Sequence, residues 1–373
     1  MKKNLLLFCS SLLLILIIFE VCLKYFYPQN LDGWYSVRDS DGLNILRKNS
    51  NYYHRAFGRT AKYTFGEFNN RITSNNNSRD KLLILGDSFT FGWLINDQYI
   101  FSEILQRHLK NYKIINPSVP GWGIADYTRY LETYCKDISP KNVIIMFNTD
   151  DLRRGYISKL YKMDILNLIK IKNKDHPEID RIFDLEYIEV MDTFKVNQGT
   201  VKPLVTYSKY HEIPFYKFLI RNSHLFYLLR QTIVNLKDKK IWSKKTLPPS
   251  DFDIPSHSIP TQLDVAEISG KIFLLRLKEI SKKCNTKLNI IYSGWYDYEN
   301  LPLLDNPTLH FLKYSKNFFK KHKINFFDLS FRMKEMHKNP TSYIITYDNH
   351  PNELGHKIIG ENLIYLFENN FIK

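Results

Sequence analysis

Cysteine is scarce in this chain: 373 residues hold four. Cys9 and Cys22 fall in an apolar N-terminal run, which leaves only Cys135 and Cys284 for the remainder. One pair is not a disulfide framework, so two buried thiols are the expectation even where an oxidising compartment allows a bridge. No Cys/His cluster has zinc spacing, and no metal is expected. No glycine-rich dinucleotide or phosphate-cradling loop occurs, and no cofactor is expected. No RNA- or DNA-binding module is recognisable, so nucleic acid is not an expected partner. Internal repeats are also missing.

Basic residues are plentiful. Lys and Arg total 53 against 38 Asp and Glu, a formal net charge of +15, spread through most of the chain. Such a surface suits anionic partners such as phospholipid headgroups or acidic glycans. The length allows one large core or two modest ones.

Lys2 and Lys3 precede sixteen residues without a charge, Asn4 to Phe19. Glu20 interrupts, and Val21-Cys22-Leu23 complete a 20-residue stretch, about the length that spans a bilayer core. The two lysines favour a cytoplasmic N-terminus with the bulk of the chain outside. Tyr25, Phe26 and Tyr27 then stand at the far interface, and Glu20 is tolerable near the outer end of the span. No small-residue cleavage pattern follows, and Phe8 before Cys9 argues against a lipoprotein site. Residues 1–23 therefore read as an uncleaved signal anchor.

Residues 24–80 are polar and aromatic-rich, with a short strand or hairpin at Tyr63–Phe68 and an Asn-rich loop over Asn69–Ser78. They read as a stalk packing on a main domain, 81–373. From residue 81 strands and helices alternate. Strands are expected at 81–85, 113–116, 142–148, 287–293 and 324–329, and helices at 99–109, 124–138, 265–283, 307–321 and 354–367. The fold class is α/β, with a mainly parallel five-stranded sheet covered on both faces. Residues 152–264 break the rhythm and read as a cap-like insertion, with a helix at 222–236.

The chemistry-bearing residues gather where strands end. The apolar run Leu82–Leu85 leads into Gly86-Asp87-Ser88-Phe89-Thr90-Phe91-Gly92, a tight turn that presents one serine. Asn116-Pro117-Ser118-Val119-Pro120-Gly121-Trp122-Gly123 follows the second strand, and Asn148-Thr149-Asp150-Asp151 the third. Asp348-Asn349-His350-Pro351-Asn352 precedes the last helix. In a parallel sheet ligands sit beyond the C-terminal strand ends, and these segments supply a nucleophile, oxyanion donors, a base and its orienting acid.

In these blocks the chain resembles the SGNH (GDSL-like) hydrolase superfamily, over residues 81–151 and about 265–370. The resemblance implies a flavodoxin-like three-layer sandwich. It implies Ser88 as nucleophile and oxyanion donor through its own N–H, Gly121 as a second donor, His350 as base and Asp348 as acid. His356 reads as a packing or helix-start residue. Two departures stand out: the last block is Asp-x-His, one residue shorter than usual, and the family's asparagine position falls on Asp150, with Asn148 two residues earlier.

Three accounts of the oxyanion site are open. Asn148 donates from the same strand face, Asp150 is held protonated, or the two backbone N–H groups suffice. The first is preferred. Asp87 and Asp150 are left with no fixed role in the site. Trp93, Trp122 and Trp295 read as core or cap packing before sugar stacking. Asp150-Asp151 and Arg153-Arg154 read equally as solvated loop residues or as site residues.

The resemblance implies a membrane-anchored serine esterase or O-acyltransferase acting on an acylated, most simply acetylated, cell-envelope glycan. A membrane-bound acyl-donor protein is an implied partner. A non-catalytic glycan-binding protein of the same fold and a lipase or lysophospholipase acting on a lipid substrate are the alternatives.

Overall fold

The apolar runs Leu82–Leu85 and Val143–Phe147 become central strands, and amphipathic runs between the strands become the covering helices. A computed structural model describes residues 2–31, 34–72, Ser74, 76–148, Asp151, Leu152, Arg154, 160–162, Lys195–Val196, 214–230, Thr232, Ile233, 259–292, 316–329, Arg332, 340–346, Asp348 and 350–372. The N-terminal run is one helix, α1 (Lys2–Phe26). Strand β1 (Ser36–Arg38) pairs antiparallel with β2 (Asn44–Leu46), and β3 (Asn51–Ala56) pairs with β4 (Arg59–Thr64). Then come β5 (Lys81–Leu85), α2 (Ser88–Phe91), α3 (Phe101–His108), β6 (Lys113–Ile115), α4 (Ile124–Ile138) and β7 (Asn142–Phe147). The short strands β8 (Tyr161–Lys162) and β9 (Lys195–Val196) pair with each other. Helices α5 (Pro214–Asn222) and α6 (Ile259–Lys283) precede β10 (Lys287–Tyr292), α7 (Lys316–Lys321), β11 (Asn325–Asp328) and α8 (Glu353–Glu368).

The chain divides into two compact units. One comprises Met1–Tyr35, Asn51–Tyr53 and Pro203–Ser256; the other comprises Ser36–Ser50, His54–Lys202 and His257–Lys373.

The larger unit holds a five-stranded sheet in the order β11-β10-β7-β5-β6, with every pair parallel. Numbered along the chain this is 2-1-3-4-5, the flavodoxin-like order, whose ligand crevice opens at the carboxyl ends of its first and third strands. Those strands are β5 and β7. On one sheet face Leu82, Ile84, Ile144, Met146 and Ile291 pack against Phe101 and Leu105 of α3 and Ile358, Ile359 and Leu363 of α8. A Cβ at Gly360 would stand 2.9 Å from Ile104, so glycine lets α8 lie close to α3. The alternate residues Leu83, Leu85, Val143, Ile145 and Ile290 are also buried and point to the opposite face. That face is covered by α4 and α6, which pack together with Tyr127, Leu131, Phe273 and Leu277 buried.

The expected α/β class and the parallel five-stranded sheet hold, while several details differ. Residues 36–64 carry four strands where one short strand or hairpin was expected, because alternation there is brief and mixed with polar residues such as His54. Helix α6 starts at Ile259, six positions earlier than expected, since Pro260 sits in the first turn, where its missing N–H costs nothing. The 222–236 helix runs from 224 to at least 230, with a break from α5 at Ser223. Of the helix expected at 307–321, the described part is α7; 307–315 lie outside the described residues. Cys135 and Cys284 are not separate thiols. They form a disulfide, Cα to Cα 6.2 Å, linking the last turn of α4 to the residue after α6.

Candidate active site

The serine turn is built around a glycine and an aspartate. A Cβ at Gly86 would meet Thr90 Oγ1 at 2.0 Å, so only glycine lets β5 pass directly into α2. Asp87, fully buried, caps α2: its Oδ1 accepts the Phe89 N–H at 2.9 Å. Its Oδ2 accepts from Asn148 Nδ2 at 3.1 Å and from Arg154 Nη1 at 3.0 Å. Gly92 ends α2 in the left-handed region at φ +84°. Asn116, also buried, donates to the Thr90 carbonyl at 2.8 Å and braces the same turn.

Below the turn lies Arg71, fully buried. Its guanidinium bonds Asp97 Oδ1 (2.7 and 3.0 Å) and the carbonyls of Phe91, Gly92 and Ile95 (3.0 to 3.2 Å). It also stacks over the Tyr63 and Phe91 rings. One cation thus satisfies three carbonyls that the tight turn leaves inside the protein.

The histidine arrives on a tied loop. Ile345 N–H donates to the His350 carbonyl at 2.7 Å, and Asn352 N–H to the Tyr343 carbonyl at 3.0 Å. The Asn352 side chain accepts the Gly355 N–H at 3.0 Å and starts α8. His350 Nε2 lies 2.8 Å from Ser88 Oγ. Its Nδ1 faces Asp348 Oδ1 at 2.9 Å and the Asp348 carbonyl at 3.1 Å. Two acceptors at Nδ1 assign the proton there and leave the Nε2 lone pair toward the serine hydroxyl. The short Asp-x-His spacing therefore does not keep the carboxylate from the ring.

Trp93 completes the arrangement in a role the sequence did not disclose. Its indole Nε1–H donates to Asp348 Oδ2 at 2.9 Å, so both carboxylate oxygens are engaged. The buried His54 ring packs edge-on against Trp93 at 4.2 Å, with Nδ1 2.7 Å from Tyr63 Oη. Burial pushes the His54 pKa down to about 4, with the Asp348 charge opposing and His350 assisting. His54 shares the buried side of β3 with Tyr52.

The oxyanion candidates separate into two kinds. Gly121 is exposed in the left-handed region, φ +86°, with nothing within 4 Å of the position a Cβ would take. Neither its N–H nor that of Ser88 has a partner among the described residues. Asn148 sits at the end of β7, its amide held by Asp87 and its N–H donating to Asp151 Oδ2 at 2.6 Å. Asp150, Thr149 and Arg153 lie outside the described residues, as do Asn349 and Trp295.

Asp151 and Arg154 are not solvated loop residues. Asp151 is fully buried, and burial followed by the Asp87 charge raises its pKa well above the usual carboxylate range. Arg154 lies between Asp151 and Asp87 and also donates to the Trp122 carbonyl. Trp122 is core, its indole N–H on the Asn44 carbonyl at 2.8 Å. His356 is likewise buried, parallel to Phe101, and burial with the nearby Arg71 charge lowers its pKa to about 3. Among the described residues no His/Cys/Asp/Glu group is placed to hold a metal.

No family model and no curated protein matches the chain. Solved structures do. A member of the lipolytic G-D-S-L family from Veillonella parvula is 11% identical, with a TM-score of 0.39, over 77% of this chain and 98% of its own. A psychrotrophic esterase from Pseudoalteromonas sp. is 9% identical, TM-score 0.39, over 78% and 98%. A catalytic mutant of an acetylxylan esterase from Geobacillus stearothermophilus is 15% identical, TM-score 0.38, over 77% and 94%. At such identities nothing about activity follows from these likenesses. The chain has a three-layer α/β fold with a parallel 2-1-3-4-5 sheet, the serine turn after its first strand and the histidine loop before its last helix.

Proposed function

We propose that the chain is a membrane-anchored, extracytoplasmic serine enzyme acting on O-acyl esters, with acetyl groups of a cell-envelope glycan as its substrate. The observation that carries the reading is the Ser88–His350–Asp348 relay, with hydrogen-bond distances of 2.8 and 2.9 Å and the ring tautomer set for base catalysis. His350 Nε2 takes the Ser88 proton as Oγ attacks the acyl carbonyl carbon. The oxygen that gains charge is met by the N–H groups of Ser88 and Gly121, with the Asn148 amide as third donor. His350 returns its proton to the departing alcohol oxygen, leaving an acyl-serine. Water activated by His350 then releases the acid, or a sugar hydroxyl takes up the acyl group. Asp348 stays ionised throughout and stabilises the imidazolium. The intact relay weighs against a purely binding role.

The anchor reading rests on α1. The most apolar 18-residue window of its Leu6–Phe26 segment has a mean hydropathy of 2.8, and none of that window is buried within the protein. The expected orientation places Lys2 and Lys3 in the cytoplasm. The basic surface suits an acidic glycan, and an acyl-donor protein in the same membrane is the proposed partner.

The test is turnover of an aryl acetate by the detergent-solubilised full chain beside Ser88→Ala, with and without a glycan acceptor. Turnover that vanishes in the variant is the expected result, and acyl transfer to the glycan selects transferase over esterase. Equal turnover in both proteins refutes the serine mechanism.

A further inference from the structure

Glu20 is the one Asp, Glu, Lys or Arg between Asn4 and Leu23, and its carboxylate is fully engaged. It accepts from Ser223 Oγ at 2.8 Å, from the His224 N–H at 2.7 Å and from the Leu225 N–H at 3.0 Å. The last two are N–H groups at the start of the helix beginning at 224, which lack partners within that helix. Gln29 N–H adds a bond to His224 Nδ1 at 2.9 Å. The end of α1 is thus clamped to the turn between α5 and the following helix, all within one compact unit.

Those two helices form a hairpin. Tyr216 and Phe226 meet edge-to-face at 5.5 Å, Arg230 Nε donates to Tyr216 Oη at 3.0 Å, and Ile220 is buried. On the outside it presents large apolar side chains: Phe215 is 69% exposed, Phe218 60%, Leu229 54% and Ile233 53%. These recur at spacings of three and four, one face on each helix. In sequence, 214–233 contains Lys217, Arg221 and Arg230 and no acidic residue. A basic, amphipathic element of this kind partitions to the boundary of headgroups and acyl chains, about 5–10 Å into the bilayer.

The clamp sets a matching depth. The Leu6–Phe26 span of 21 residues is about 31 Å long at 1.5 Å per residue, a bilayer core thickness. Glu20 lies six residues before its outer end, ~9 Å inward on the same scale. A hairpin held there has its turn at the interfacial boundary. Tyr25, Phe26, Tyr27 and Trp34, all exposed in the same unit, are the aromatic residues that favour that depth.

Resting on the anchor reading above, we infer that residues 214–230, Thr232 and Ile233 form an interfacial hairpin, docked on the anchor through Glu20 and seated in the anionic outer-leaflet surface by Phe215, Phe218, Leu229 and Ile233. The clamp removes the cost of an uncompensated carboxylate within the span, and the hairpin gives the anchor a second hold on the leaflet.

The test places a photo-crosslinking phenylalanine analogue at single positions of the full chain, reconstituted in vesicles of phosphatidylethanolamine and phosphatidylglycerol. Lipid adducts are read by mass spectrometry. Expected are adducts at 215, 218, 229 and 233 and none at the buried position 220, with the four adducts reduced when Glu20→Gln weakens the clamp. A probe at position 13, in the middle of α1, separates the two readings. Lipid adducts at 13 but none on the hairpin overturn the interfacial assignment and leave the anchor standing. No adduct at 13 overturns both. Protein–protein adducts alone at the four hairpin positions also overturn it and mark a second protein as the occupant.

Discussion

Replacing Trp93 by phenylalanine keeps an aromatic body against His54 and removes one hydrogen bond, the indole N–H on Asp348 Oδ2 at 2.9 Å. A hydrogen bond to an ionised acceptor contributes about 1.5–3 kcal/mol. The Asp348 side chain is 13% exposed, so water replaces part of the lost donor and the lower end applies. Two effects oppose. The freed carboxylate is a stronger electrostatic partner for the imidazolium, but it loses the contact that fixes its rotation. Because the Asp348 carbonyl already holds His350 Nδ1 at 3.1 Å, ring position survives, and what is lost is the aim of Oδ1. About 1.4 kcal/mol in the barrier corresponds to a roughly tenfold fall in kcat. KM for an aryl acetate should stay near wild type, since phenylalanine keeps an aromatic ring beside His350 and only the bond to Asp348 is lost. A double-mutant cycle with Asp348→Ala checks this: Trp93→Phe should cost little in a chain that already lacks the carboxylate. An equal loss in both backgrounds, or kcat within about twofold of wild type, refutes the reasoning.

Other outcomes follow from the same geometry. Asn148→Ala should lower turnover by about 10²-fold if its amide meets the oxyanion, and a near-wild-type rate returns that task to the backbone donors alone. Arg71→Met removes the cation beside Asp97 and the side-chain donors of three carbonyls and should cost about 3 kcal/mol of stability by urea unfolding; an unchanged midpoint would show that water reaches them. His356 takes a proton at about 3 when folded against a reference of 6.5, so its contribution is complete above pH 6.5 and is lost as pH falls. Between pH 8 and pH 5 the wild type should lose about 2 kcal/mol more than His356→Gln, and parallel losses would contradict burial of a neutral ring. The disulfide closes a loop with a separation of 149 residues, for which the chain-entropy account gives at most ~5 kcal/mol. Reductant should lower the urea midpoint of the wild type and leave that of Cys135→Ser unmoved.

The sheet was legible because its strands are apolar on both faces. Leu82–Leu85 and Val143–Phe147 have no polar interior residue and follow or precede clear turn signals. The relay residues were legible for a related reason: each stands where a strand or loop must break before a helix. What stayed hidden depends on long-range contacts. The Trp93–Asp348 bond spans 255 positions, and a tryptophan in a loop carries no local sign of an acceptor that distant. Arg71 reads as one cation among 53, and only the fold gives it three carbonyls to satisfy. Strands β1 and β2 have three residues each, and β3 and β4 carry polar residues on both faces, so apolar content did not mark them. The pairing of Cys135 with Cys284 depends on how α4 and α6 meet, which spacing does not encode.

That bridge has one more consequence. Ser88 precedes the first bridged cysteine and His350 follows the second. A peptide bond cut anywhere between residues 135 and 284 therefore yields two polypeptides, one bearing the serine and the other the histidine, that remain a single covalent molecule. On a gel without reductant such a nicked protein migrates as one species, and the two halves of its relay separate only when a thiol is added.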